Sequence, residues 1–70
     1  MESVLSEIGA LIRLLPAATA SAEQKADWYE RKAQLFDQVA ADPAANRDDV
    51  LNARAIAKGA REHSRQLRAG

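Results

Sequence analysis

Apolar residues in the first fifteen positions recur at the spacing of a helix face. Val4, Leu5, Ile8, Leu11, Ile12 and Leu15 fall on one side of a helical wheel, and Pro16 cannot continue the helix because it lacks the backbone donor and clashes with the preceding turn. The spacing therefore predicts a short amphipathic helix over about 3–15. Ala17 to Ala20 reads as a connector, and Ser21-Ala22-Glu23-Gln24 reads as a capping box that opens a second helix. That helix is expected to run to about residue 41, since Asp42-Pro43 disfavours helical geometry before the proline. Asn46, followed by Asp48 and Asp49, offers a cap and first-turn negative charge for a third helix over about 47–67. No strand-like alternation and no hairpin dipeptide is present.

The second and third helices carry matching seams. Ala22, Ala26, Tyr29, Ala33, Phe36 and Ala40 recur at alternating steps of four and three, and so do Val50, Ala53, Ala57, Ala60, Ser64 and Leu67. If the chain folds back near Ala44 and Ala45, facing residues have numbers adding to about 90, as antiparallel coiled-coil geometry requires. Phe36 then meets Ala53, Tyr29 meets Ala60 and Ala22 meets Leu67, so large faces small. In the same register Asp37, Glu30 and Glu23 stand opposite Arg54, Arg61 and Arg68, with Asp27 close to Arg65. A ladder of such surface pairs selects orientation more than it adds stability. The fold class is all-α, an antiparallel helical hairpin (about 22–41 and 47–67) plus the short N-terminal helix, in one domain over 1–70. It is a three-helix bundle if the first helix packs in cis, and a dimeric helical bundle if it packs across copies.

A second apolar strip flanks the seam, with Trp28, Leu35 and Val39 on the second helix and Ile56 and His63 on the third. The hairpin alone leaves this strip wet, so the first helix or another chain must cover it. Val4, Leu5, Ile8, Leu11, Ile12, Leu15, Trp28 and Leu35 are accordingly the candidate partner-binding residues. A chain of 70 residues buries little core and often gains stability by association, which makes a homo-oligomer, a dimer, or a helical protein partner the expected assembly.

Charge changes this picture in one place. Ten basic residues balance ten acidic ones overall, but residues 1–46 hold seven acids against four bases, and residues 47–70 hold six bases against three acids. Arg54, Lys58, Arg61, Arg65 and Arg68 form a basic stripe along the third helix, which could track phosphates and so marks a candidate nucleic-acid-binding surface. The competing reading makes the stripe half of the intramolecular ladder, and it is favoured because no aromatic or base-reading side chains accompany the stripe.

Other chemistry is sparse. There is no cysteine and only one histidine, so neither a disulfide nor a His-rich metal site is expected. Gly-rich phosphate loops, paired carboxylates in a pocket and a nucleophile beside a base are all missing from the pattern. No catalytic residue, cofactor, metal or small-molecule substrate is expected, and the chain does not read as an enzyme. Ser6, Glu7, Gly9 and Arg13 interrupt the N-terminal apolar run, which Glu2 precedes, so it reads as neither a signal peptide nor a membrane span. A cytoplasmic location and no membrane association are expected.

The run Ala26-Asp27-Trp28-Tyr29-Glu30-Arg31-Lys32-Ala33, continuing through Leu35-Phe36-Asp37 and Val39-Ala40, resembles short Ala/Arg-rich hypothetical proteins of actinobacteria and their mobile elements, in which a Trp-Tyr or Trp-Phe helix leads into an Ala-rich return helix. The resemblance covers the hairpin and implies a bacterial cytoplasmic accessory protein. It implies no activity and no site residues.

Overall fold

The computed structural model describes residues 4–69, with the side chains of Val4 and Leu5 outside the described set. Three helices follow in order, α1 (Val4–Arg13), α2 (Ala22–Ala41) and α3 (Arg47–Ala69). Helix α1 stops at Arg13 and closes with a turn at Leu14, because the restriction that Pro16 places on Leu15 acts one residue upstream of the proline itself. Leu15, expected inside the helix, therefore lies in the connector.

The cap signals act as the sequence predicts. The Gln24 backbone N–H donates to Ser21 Oγ (3.1 Å) and the Ser21 N–H donates to Gln24 Oε1 (3.0 Å), which completes the box at the start of α2. Asp42 ends α2 in an extended conformation (φ −67°, ψ 120°) ahead of Pro43. Its Oδ1 accepts the Ala44 N–H at 2.9 Å, and Asn46 Oδ1 accepts the Asp49 N–H at 2.8 Å to cap α3. These short-range bonds satisfy donors that a tight turn would otherwise leave unpaired.

The core is a seam of small residues. Ala26 and Ala33 of α2 and Ala53, Ala57, Ala60 and Ser64 of α3 are buried, and Tyr29 and Phe36 pack against the Ala33–Ala57–Ala60 cluster. The faces that meet are the two predicted seams, with large side chains set against alanines so that the backbones approach closely. The Ser64 hydroxyl is buried in the seam without a hydrogen-bond partner. Burying a lone hydroxyl costs about 1 kcal/mol or more, so Ser64→Ala is expected to raise the unfolding free energy by about 1 kcal/mol in urea titrations. Gly59 has nothing within 4 Å of the place a Cβ would occupy, so no close approach inside the chain requires a glycine there.

Helix α1 returns antiparallel along α2. Leu11 of α1 and Leu35 of α2 are buried, and the Trp28 indole Nε1–H donates to the Leu11 carbonyl at 2.9 Å. The same carbonyl also accepts the Leu14 backbone N–H at 3.1 Å in the turn that closes α1, so the indole takes up its second acceptor position. Helix α1 packs on α2 only, and among the described residues it has no Cα within 8 Å of α3. The three helices thus lie nearly in one layer, with Cα extents of 38 × 24 × 14 Å. The radius of gyration is 12.8 Å, against about 11 Å for a compact chain of this length.

Candidate functional site: an open groove between the outer helices

Because α1 and α3 both lean on α2 without meeting, a groove runs between them. At the turn end it has a volume of about 440 Å³ and is lined by Ile8 of α1, Phe36 and Val39 of α2, and Ala53 and Ile56 of α3. Asp42, Asp49 and Asn52 rim it. Ile12 lies one turn from Ile8 on the same flank of α1 and is 64% exposed, and Leu15 beyond it is 61% exposed. On α3, Ile56 remains 38% exposed. Helix α1 has no Cα within 8 Å of α3 among the described residues, so its apolar stripe is wider than its contact with α2.

The other end of the groove is basic. Lys25 and Lys32, seven residues apart, share one stripe of α2, and Phe36 and Val39 continue it at the spacing of a helix face. Lys32 Nζ lies 5.7 Å from the Trp28 ring centroid and 6.0 Å from that of Tyr29, a cation over aromatic faces. Lys25 Nζ donates to the Ala18 carbonyl at 2.9 Å and ties the connector to α2. On the α3 side the His63 ring stacks on Tyr29, with centroids 4.4 Å apart and planes within 8°. The groove therefore runs from carboxylates at the turn to ammonium groups at the far end, about 15 Å from Asp42 to Lys32 along α2 at 1.5 Å per residue.

The sequence-predicted partner-binding residues divide into two sets. Leu11 and Leu35 are buried and Trp28 is half-buried, so these three hold α1 to α2. Ile8 is half-buried at the groove, and Ile12 and Leu15 are exposed. Val4 and Leu5 fall where side chains are not described. Phe36, Asp42 and Asp49 belong to the groove and were not among the candidates. The heptad pattern assigned Phe36 wholly to the seam, and nothing in it shows that one edge of the ring faces the other side. Leu51 is 54% exposed, but it shares the outer face of α3 with Arg54 and Lys58 and takes no part in the groove.

The basic stripe is partly neutralised, and the charge pairs differ from the expected ones. Arg61 pairs with Asp37 in a two-pronged contact, and Arg68 reaches Asp27 (2.6 Å) and Glu30 (3.1 Å). The expected partners were Arg54 for Asp37, Arg61 for Glu30, Arg68 for Glu23 and Arg65 for Asp27. The correction follows from side-chain direction. Each Cα–Cβ bond tilts towards the N-terminus of its own helix. In antiparallel helices, residues at the same level therefore lean apart, and an acid nearer the C-terminal end of α2 leans towards an arginine nearer the C-terminal end of α3. Asp37 and Glu30 thus meet arginines one heptad further along α3 than expected. The Arg61 guanidinium, through its hydrogen bonds, holds the Asp37 carboxyl below the usual carboxylate range. Arg54, Lys58 and Arg65 are exposed and make no ion pair among the described residues.

No group of three or more potential metal ligands occurs among the described residues. Nor is any described helix long and apolar enough to cross a membrane. The chain matches no protein-family model, no curated protein and no solved structure, so the geometry of the groove and of the charges is what supports a reading of function.

Proposed function

We propose that the chain is a small, non-enzymatic protein-interaction module of the cytoplasm, an adaptor or regulator that works through helix–helix contacts and self-associates through the groove between α1 and α3. The observation that carries this reading is the apolar lining of that groove, Ile8, Phe36, Val39 and Ile56, which the described residues leave partly exposed. An amphipathic helix laid into such a groove is a standard mode of recognition.

Sedimentation velocity over a concentration series tests this. The wild-type chain is expected to move from monomer to dimer as concentration rises. Ile56→Asp, which puts a charge into the groove, is expected to raise the dissociation constant by about a hundredfold or more, the effect of burying an unpaired charge at an interface. Leu51→Asp, on the outer face of α3, is expected to change it by less than about twofold. Equal effects from both substitutions would refute the groove as the association surface. Nucleic-acid binding through Arg54, Lys58 and Arg65 ranks second, because the intramolecular pairs of Arg61 and Arg68 remove two of the five cations from the stripe.

A further inference from the structure

We infer that the groove is filled by α3 of a second copy, lying antiparallel to the first α3 about a two-fold axis that passes beside Ile56. The inference rests on the groove being an association surface and adds the identity and orientation of its occupant. It follows from how charge is distributed along the groove walls. Asp49 and His63 lie seven residues to either side of Ile56 on α3. A two-fold axis at Ile56 therefore exchanges the two ends of the groove. The Asp42–Asp49 rim of one copy meets the Lys32 and His63 end of the other, and the same contact recurs by symmetry, as an isologous interface requires. A parallel arrangement would set Asp49 against Asp49 and Lys32 against Lys32, and like charges placed together oppose that alternative.

Packing favours the same occupant. Between the charged ends the lining is apolar, and at the axis Ile56 meets its own symmetry mate over Phe36 and Val39. Gly59, three residues beyond Ile56, has open space beside its backbone, so no side chain at that position holds the second helix away. An arrangement of this kind closes on itself and leaves no groove free for a third copy.

A charge exchange tests the orientation. Lys32→Asp and Asp49→Lys are each expected to raise the dimer dissociation constant by about threefold to tenfold, the usual effect of removing one charge at an interface rim. Combined in one chain, the two substitutions restore an attractive pair across the axis, so the double variant is expected to return to within about twofold of wild type. Sedimentation equilibrium reads all three, with far-UV circular dichroism confirming that each variant is helical. As a second readout, Ile56→Cys is expected to form an intermolecular disulfide under mild oxidation, because the axis brings the two cysteines together. A double variant as weak as the two single effects combined, with no cross-link at residue 56, would overturn the antiparallel arrangement. A chain that stays monomeric at millimolar concentration would overturn the second copy as occupant and leave the groove open to a helix of another protein. A dimer indifferent to Ile56→Asp would instead overturn the groove reading on which this one rests.

Discussion

Replacing Ala57 by leucine is expected to cost about 3 kcal/mol, the upper part of the range for overpacking a well-filled core, and so to remove most of the stability of a domain this small. Ala57 is 1% exposed and sits between Ala33, Ala60, Tyr29 and Phe36. Those contacts exist because alanine on one helix lets the other come close. Three extra carbons have no void to enter, so either the helices separate along the whole seam or Tyr29 and Phe36 leave their rotamers. Urea denaturation followed by far-UV circular dichroism should show the transition shifted to low denaturant or lost. Ala55→Leu, on the exposed face of the same helix, controls for helix propensity and should shift the unfolding free energy by less than about 0.5 kcal/mol. If both variants were equally stable, the seam would not be the core.

The second large effect is expected at Leu11→Ala, which should cost about 2–3 kcal/mol as a buried leucine truncation. It should act locally. Helix α1 is only ten residues long, too short to be stable alone, and it is held to α2 by Leu11, by the packing of Leu35 and by the Trp28 hydrogen bond to the Leu11 carbonyl. Without the leucine side chain, α1 should undock while the α2–α3 hairpin, whose core it does not enter, stays folded. The Trp28 ring would then face water, and its fluorescence should shift to the red at denaturant concentrations where the helical signal of the hairpin persists. Loss of both signals in one transition would show instead that α1 is part of a single cooperative core.

Much of the fold was legible because local and long-range signals agree. The Ser21–Gln24 box, the Asp42-Pro43 stop and the Asn46 cap each carry their own chemistry, and the alanine seams mark the faces on which α2 and α3 meet independently of the caps. Two features were less legible, and each has a physical reason. The charge pairs were assigned by level along the helix axes, whereas long side chains meet where their Cβ directions converge, so Arg61 takes Asp37 rather than Glu30. The openness of the groove depends on the angle at which α1 approaches α2. The apolar stripe of α1 runs from Leu11 round to Ile12, wide enough for two neighbours. A stripe of that width shows that a second surface is to be covered, but not that α3 fails to supply it. For the same reason Ile8, Ile12 and Leu15 were grouped with Leu11 and Leu35, although the first three lie at or beyond the groove and the last two are buried between α1 and α2.

A dilution series of amide nitrogen–proton correlation spectra on the wild-type chain tests the role of the groove most directly. The resonances of Ile8, Phe36, Val39, Ala53 and Ile56 are expected to move together with concentration, while those of Leu51, Ala55, Lys58 and Glu62 on the outer face of α3 stay fixed. Concentration-dependent shifts confined to that outer face, or no shifts at any concentration, would contradict the groove as the surface through which this protein associates with itself.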